Sequence, residues 1–203
     1  MTTWSSEVAI CNGALNLLGA ESIVAVSDSR FCDAYFDQAR DECLAAYPWN
    51  FAVRRTDLGA PLAAGSEGYP VYEWTYGFSL PRGDNDFCLR VMDTKNGEPY
   101  RVEGKWLYAN HNSVYITYIQ RIESINEWSP HAKMTLSAKL ASLIAYPITK
   151  SSTMFTNMHG LYMNLLADAR QVDTQEGTPD EIRSDEILDA RFGYYPHLSG
   201  NRY

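Results

Sequence analysis

Positive charge is scarce in this sequence. Lysine and arginine number 17 against 25 aspartates and glutamates, a formal net charge of −8, and only Arg54-Arg55 forms a basic cluster. A protein that grips nucleic acid through its phosphates needs clustered lysine and arginine, so this balance argues against that class. An acidic wall repels passing DNA, which suits a conduit as well as an ordinary soluble protein. Long apolar runs are also lacking: none approaches the roughly 20 residues that span a bilayer, and no N-terminal segment pairs a basic region with an apolar stretch. The expectation is a protein that is cytoplasmic where it is made.

Recognisable chemistry is equally sparse. Cys11, Cys32, Cys43 and Cys88 show no CxxC spacing, and three of them fall in expected helices, so they read as free, buried thiols and not as zinc ligands or a disulfide framework. There is no HExxH, no GxSxG, no phosphate-binding glycine loop and no GxGxxG. His111, His131, His159 and His197 are scattered, which fits surface or capping roles better than metal or general-base roles. Asp33, Asp37, Asp41 and Glu42 recur at helical spacing. A glycan hydrolase needs two carboxyls flanking the scissile bond, roughly 5 to 9.5 Å apart, which residues on one exposed helix face do not readily supply. They read as a solvated face, with Arg30 and Arg40 close enough to offset the charge. No catalytic residue, cofactor or metal is expected.

What is present is length, aromatic residues and a change of period. A chain of 203 residues can bury one ample core, or a core with a smaller inserted domain, without staples. Its 14 tyrosines and 5 tryptophans suit subunit surfaces as well as cores. Ser5 and Ser6 precede a helical recurrence of Val8, Cys11, Leu15 and Leu18 that stops at Gly19, a residue suited to a left-handed cap. Ser27 or Asp28 can cap a second helix with Cys32, Phe36 or Tyr35, Ala39 and Cys43 on its buried face and Arg40, Asp41 and Glu42 on its wetter side. Pro48 disfavours helical geometry at Tyr47, so this helix stops there and turns Trp49 and Phe51 back onto the body of the protein.

Residues 60–70 have no period and are rich in glycine and proline, the mark of a loop. Tyr72, Trp74, Tyr76 and Phe78 then alternate with polar residues, predicting a half-buried strand over residues 72–79. Further strands are expected at 87–92, 100–103, 106–108 and 114–119, separated by Asn96-Gly97, Gly104-Lys105 and residues 110–113. Short strands joined by tight turns imply an antiparallel meander, because parallel neighbours would need long crossovers. Ser129-Pro130 restarts helix. There Met134, Ala138, Ala141 and Ala145 make one apolar face and Leu136, Leu140 and Leu143 another, as in the central helix of a bundle. Pro147 ends or kinks it. Ser151, Ser152 or Thr153 caps the next helix, and Thr178-Pro179-Asp180-Glu181 has the spacing to open a short one. The tail carries Arg191, Phe192, Tyr194 and Tyr195 without helical period, and tyrosine with arginine is the composition of binding hot spots. The expected class is α+β: a helical bundle from 1–58 and 128–175, an inserted antiparallel β domain at 59–127, and a short helix with an extended tail at 176–203.

In order, these elements resemble the head-to-tail adaptor family of tailed bacteriophages, also called head-completion, connector or tail tubular proteins of the gatekeeper type. The resemblance is carried by Cys11-Asn12-Gly13-Ala14-Leu15-Asn16-Leu17-Leu18-Gly19, by Tyr35-Phe36-Asp37-Gln38-Ala39-Arg40-Asp41-Glu42 leading to Pro48-Trp49-Asn50-Phe51-Ala52, by Ser79-Leu80-Pro81 with Cys88-Leu89-Arg90-Val91, by Val102-Glu103-Gly104 and Ile116-Thr117-Tyr118-Ile119, and by the helix from Ala138 to Ala145. It implies a ring, usually of twelve copies, beneath the portal protein, extending the DNA channel and bearing a tail or nozzle protein. DNA passes through without sequence-specific binding, and the virion neck is assembled in the host cytoplasm. By the same likeness the C-terminal tail orders on the portal, with Arg191, Phe192, Tyr194 and Tyr195 as the contact. The rival readings are a virion-associated peptidoglycan hydrolase and a monomeric DNA-handling factor.

Overall fold

The computed structural model describes residues 6–83 and 86–176. The helix expected from Thr178 and the tail residues Arg191, Phe192, Tyr194 and Tyr195 lie outside them. The described residues form a mixed α/β protein of four α-helices and two antiparallel sheets.

Helix α1 spans Glu7–Leu17 and α2 spans Arg30–Ala46. The Ser6 hydroxyl accepts from the Ala9 N–H, satisfying one of the donors that every helix start leaves free. Gly19, at φ 69°, turns the chain away from α1, and the Ala20 N–H returns to the Leu15 carbonyl at 2.9 Å. Asp28 does not cap α2. It sits in a 3-10 turn, Val26–Asp28, where its carboxylate accepts from the Val24 and Ala25 N–H groups, and Ser29 takes the cap. Helices α3 (Pro130–Thr149) and α4 (Ser152–Thr174) begin at Ser129-Pro130 and Ser151. Pro147 lies inside α3, and the helix runs on to Thr149 before Lys150 closes it at φ 55°. Thr149 Oγ1 donates to the Ala145 carbonyl at 2.7 Å, supplying a donor to the end of the helix.

Helix α3 is central and packs on α1, α2 and α4. Leu136, Ala138, Leu140, Ala141, Ile144 and Ala145 are fully buried there, whereas Met134 is half exposed. The core they form takes in Ile10, Cys43, Leu44 and Trp49, and reaches into the segment before α3 through Ile119, Ile122, Ile125 and Trp128.

Among the described residues seven strands follow α2: β1 (Val53–Asp57), β2 (Tyr76–Ser79), β3 (Arg82–Gly83), β4 (Asp86–Thr94), β5 (Tyr100–Glu103), β6 (Trp106–Ala109) and β7 (Tyr115–Gln120). A single meander is not what they make. One sheet has the order β1-β7-β4-β3 and the other β2-β6-β5, so only β3-β4 and β5-β6 pair as chain neighbours. Burial explains the difference. Phe78, Leu107 and Ala109 of one sheet pack with Cys88, Ile116 and Tyr118 of the other in one cluster, and a lone meander would leave one of these apolar faces in water. The expected strand at 72–79 is shorter than its alternation suggests and begins at Tyr76. Before it, the Thr75 N–H and hydroxyl both bond Asn110 Oδ1 in place of a ladder partner. Conversely Val53–Asp57, read with the helices, is strand, paired from Val53 with Ile119 to Asp57 with Tyr115.

Candidate functional site

The aromatic plug after α2 sits where α4 is fastened. Trp49 is fully buried, stacks on Phe51 at 5.9 Å between centroids, and donates from Nε1 to the Cys43 carbonyl at 2.9 Å. That carbonyl belongs to the last turn of α2, where helical partners run out. Phe51 meets Trp128, which leads into α3, at 5.3 Å. From the other side Arg170 Nη2 donates to the Ala46 carbonyl at 2.8 Å, the Tyr47 and Thr174 hydroxyls share a hydrogen bond at 2.8 Å, and Asn50 binds Asp173. The C-terminal end of α4, from which residues 177–203 continue, is thus held at a fixed place on the end of α2. Burial pushes the Asp173 carboxyl above the ordinary aspartate range, and the Asn50 N–H opposes the shift only in part.

The acidic side of α2 differs from expectation. Arg40 is buried and paired with Asp37 at 3.0 Å and Asp41 at 3.2 Å. Asp41 also holds Arg121, whose guanidinium lies 4.1 Å over the Phe87 ring, so this carboxylate ties α2 to the chain leaving β7. Glu42 pairs with Lys139 of α3, and this hydrogen bond, followed by that from Gln38, holds its carboxyl below the ordinary glutamate range. Asp41 and Glu42 are therefore bridging groups; the reading of a solvated face holds for Asp33, Asp37 and the exposed Glu42, and fails for the buried Arg40 and the half-buried Asp41. A long side chain of alternating sign one turn apart gives the same sequence signal on either kind of face.

The four cysteines are buried and free. Burial pushes the Cys43 thiol up to about 12 and the Cys88 thiol up to about 11, which keeps both protonated and inert. Among the described residues no group of three or more His, Cys, Asp or Glu is placed to hold a metal ion, and no helix is long and apolar enough to cross a membrane.

What the helices do offer is an open apolar groove of about 390 Å³. Gly13, Asn16 and Leu17 of α1, Met134 and Ser137 of α3, and Leu161 and Leu165 of α4 line it. Leu17 and Met134 are 40% and 49% exposed. A helical face whose methionine and leucine side chains stay half in water is matched to another protein surface better than to solvent. The expected apolar periodicity of α3 included Met134, but periodicity alone could not tell a buried position from one left open at a groove.

No protein-family profile matches the chain, and no curated protein matches it. The tail residues Arg191, Phe192, Tyr194 and Tyr195 fall outside the described residues, so the described part of the site is the groove together with the fixed end of α4.

Proposed function

We propose that this chain is a structural head-to-tail adaptor of a tailed bacteriophage, forming a ring of identical copies beneath the portal protein and carrying the tail or nozzle protein on its far side. The observation that carries the reading is the apolar groove across α1, α3 and α4, open to solvent on a helical unit with no cluster of metal-binding groups among its described residues. Such a groove on one flank of a subunit makes a head-to-tail contact with the next copy, and this contact closes into a ring when the angle between neighbours allows it. The order of elements supports the same reading: helices from both ends of the described chain enclose one core, and two sheets built from the chain between them stand ready to meet tail components. The acidic balance of the chain keeps the lining of a channel from holding DNA as it passes. On this reading Arg191, Phe192, Tyr194 and Tyr195 of the C-terminal tail are the contact with the portal. The site of action is the virion neck.

Negative-stain microscopy of the purified protein mixed with its portal tests this. A ring of density added to the base of the portal is expected. A portal that stays bare over a range of protein concentrations overturns the reading.

A further inference from the structure

One edge of the second sheet is open, and its charges are complementary to themselves. Strand β5 ends the order β2-β6-β5, and Arg101, Val102 and Glu103 along it are exposed. The other edges are short or occupied. The Leu62 N–H donates to the Gly77 carbonyl of β2 at 2.8 Å, Arg54 Nη1 folds back onto the Phe51 and Val53 carbonyls at the start of β1, and β3 has two residues. Strand β5 pairs with β6 over all four of its residues without a bulge and contains no proline, so it lacks two of the devices that guard an edge.

The hairpin fixes which backbone groups of β5 are free. Gly104-Lys105 is a two-residue turn with Gly104 at φ 60°, and the pair flanking it, Glu103 and Trp106, exchanges both N–H···O bonds. Such bonds alternate along a strand. Arg101 and Glu103 therefore turn their peptide groups toward β6, and Val102 between them turns its N–H and carbonyl outward, where no described residue bonds them. The side chains divide as well. Val102 lies opposite the fully buried Leu107, so it is on the inner face of the sheet, yet it is 41% exposed because cover ends at the edge. Arg101 and Glu103 share the outer face, with Arg101 Nε 3.1 Å from a Glu103 carboxylate oxygen.

A second β5 can add antiparallel only where outward peptide groups meet outward peptide groups, which leaves few registers. Centred on Val102, each Val102 exchanges two hydrogen bonds with its counterpart, and Arg101 faces Glu103 of the second copy on both sides of the centre. Those are non-hydrogen-bonded positions, where Cα atoms come within ~4.5 Å and side chains are closest, so opposite charges there attract most. Sliding the strands by two residues in either direction sets Arg101 against Arg101 or Glu103 against Glu103, which repel. Charge thus selects one register over its neighbours. The pair within each chain is more than half exposed on both sides and contributes little alone, and each of its members gains an opposite charge across the strands. We propose that β5 is a docking edge for a second copy of this chain, joined about a two-fold axis at Val102 into one sheet that runs through both molecules. This contact is isologous, whereas a ring contact is heterologous, and it uses the sheet and not the helical groove, so it stands whether or not the chain forms a ring.

Sedimentation of the full chain without portal tests this, with Arg101→Glu and Glu103→Arg as the variants. The parent is expected to pass reversibly from monomer to dimer as its concentration rises. Each variant sets like charges against each other at both cross-strand positions and should dimerise at least about tenfold more weakly. Mixed in equal amounts, the two variants present opposite charges to each other at those positions and should form a mixed dimer at least as tight as the parent's. That recovery also shows both variants to be folded. In the parent, hydrogen exchange of the Val102 N–H should slow as dimer accumulates, which reads the backbone pairing itself. A parent that stays monomeric, variants that self-associate like the parent, a mixture that fails to pair, or a Val102 N–H that exchanges at a rate independent of concentration overturns the proposal.

Discussion

The backbone N–H of Asn50 donates to both carboxylate oxygens of Asp173, at 3.1 and 3.3 Å, and the Asn50 side chain returns a hydrogen bond to the Asp173 carbonyl at 2.6 Å. Two residues 123 positions apart in the chain thereby join the stop of one helix to the end of another. The neighbouring Trp49 supplies the apolar weight of this joint, and its removal is the first test of it. Trp49→Ala should cost about 3–5 kcal/mol of unfolding free energy. Trp49→Phe keeps most of the packing but deprives the Cys43 carbonyl of its donor, at a cost of about 1–3 kcal/mol. Urea titrations followed by far-ultraviolet circular dichroism measure both, and an alanine variant within 1 kcal/mol of the parent would show that the plug is not structural.

Asp173 and Glu42 should pull the pH dependence of stability in opposite directions. The Asp173 carboxyl is raised in the folded state, so its contribution is fully present below the unfolded value near 3.8 and is lost as pH rises through the raised folded value. Glu42 is lowered, so its contribution is present above the unfolded value near 4.5 and is lost as pH falls through the lowered folded value. Asp173→Asn, which keeps an oxygen for the Asn50 N–H, should therefore lose a decline of stability with rising pH that starts near 3.8. Glu42→Gln should lose a rise of stability with pH ending near 4.5. Denaturant midpoints of the parent and each variant, measured from pH 3 to pH 7, separate the two; slopes of the same sign would contradict the structure.

Met134→Asp places a charge on the wall of the apolar groove at a side chain already half in water. Stability should change by no more than about 1 kcal/mol, while assembly on the portal is lost. Sedimentation velocity with portal present, beside a urea titration of the variant alone, checks both halves. A variant that still forms rings removes the groove from the interface.

Deleting residues 190–203 should leave a folded protein with an unchanged thermal transition that no longer joins the portal. The residues removed include Arg191, Phe192, Tyr194 and Tyr195. Co-sedimentation with portal reads the outcome directly, and normal attachment of the shortened chain would place the contact elsewhere.

Local signals are legible in the sequence and distant ones are not. Ser129-Pro130 and Gly19 mark helix ends through their own backbone preferences, which need no partner, and the structure has them at those ends. Val53–Asp57 gives no strand signal, because Arg54, Arg55 and Asp57 interrupt any apolar alternation; it is strand only because β7 pairs with it. The splitting of the strands into two sheets was hidden for a related reason. A period of two says which side chains share a face, but not which other strand lies beside them. Arg40 shows the limit from the other direction: its charge reads as solvent-facing, and only Asp37 and Asp41 make its burial tolerable. The groove was the least legible feature, since Met134 and Leu161 differ from their buried neighbours only in what fails to cover them.

Strand β7 turns Ile116 and Tyr118 toward the sheets and Ile119 toward the helices. One short ribbon of chain is thus a shared wall, and neither compartment can lose its half without opening the other. The molecule should melt as one cooperative block, fragments cut on either side of the ribbon should fail to fold separately, and a pull applied to the sheets should reach the helical flank without a hinge to absorb it.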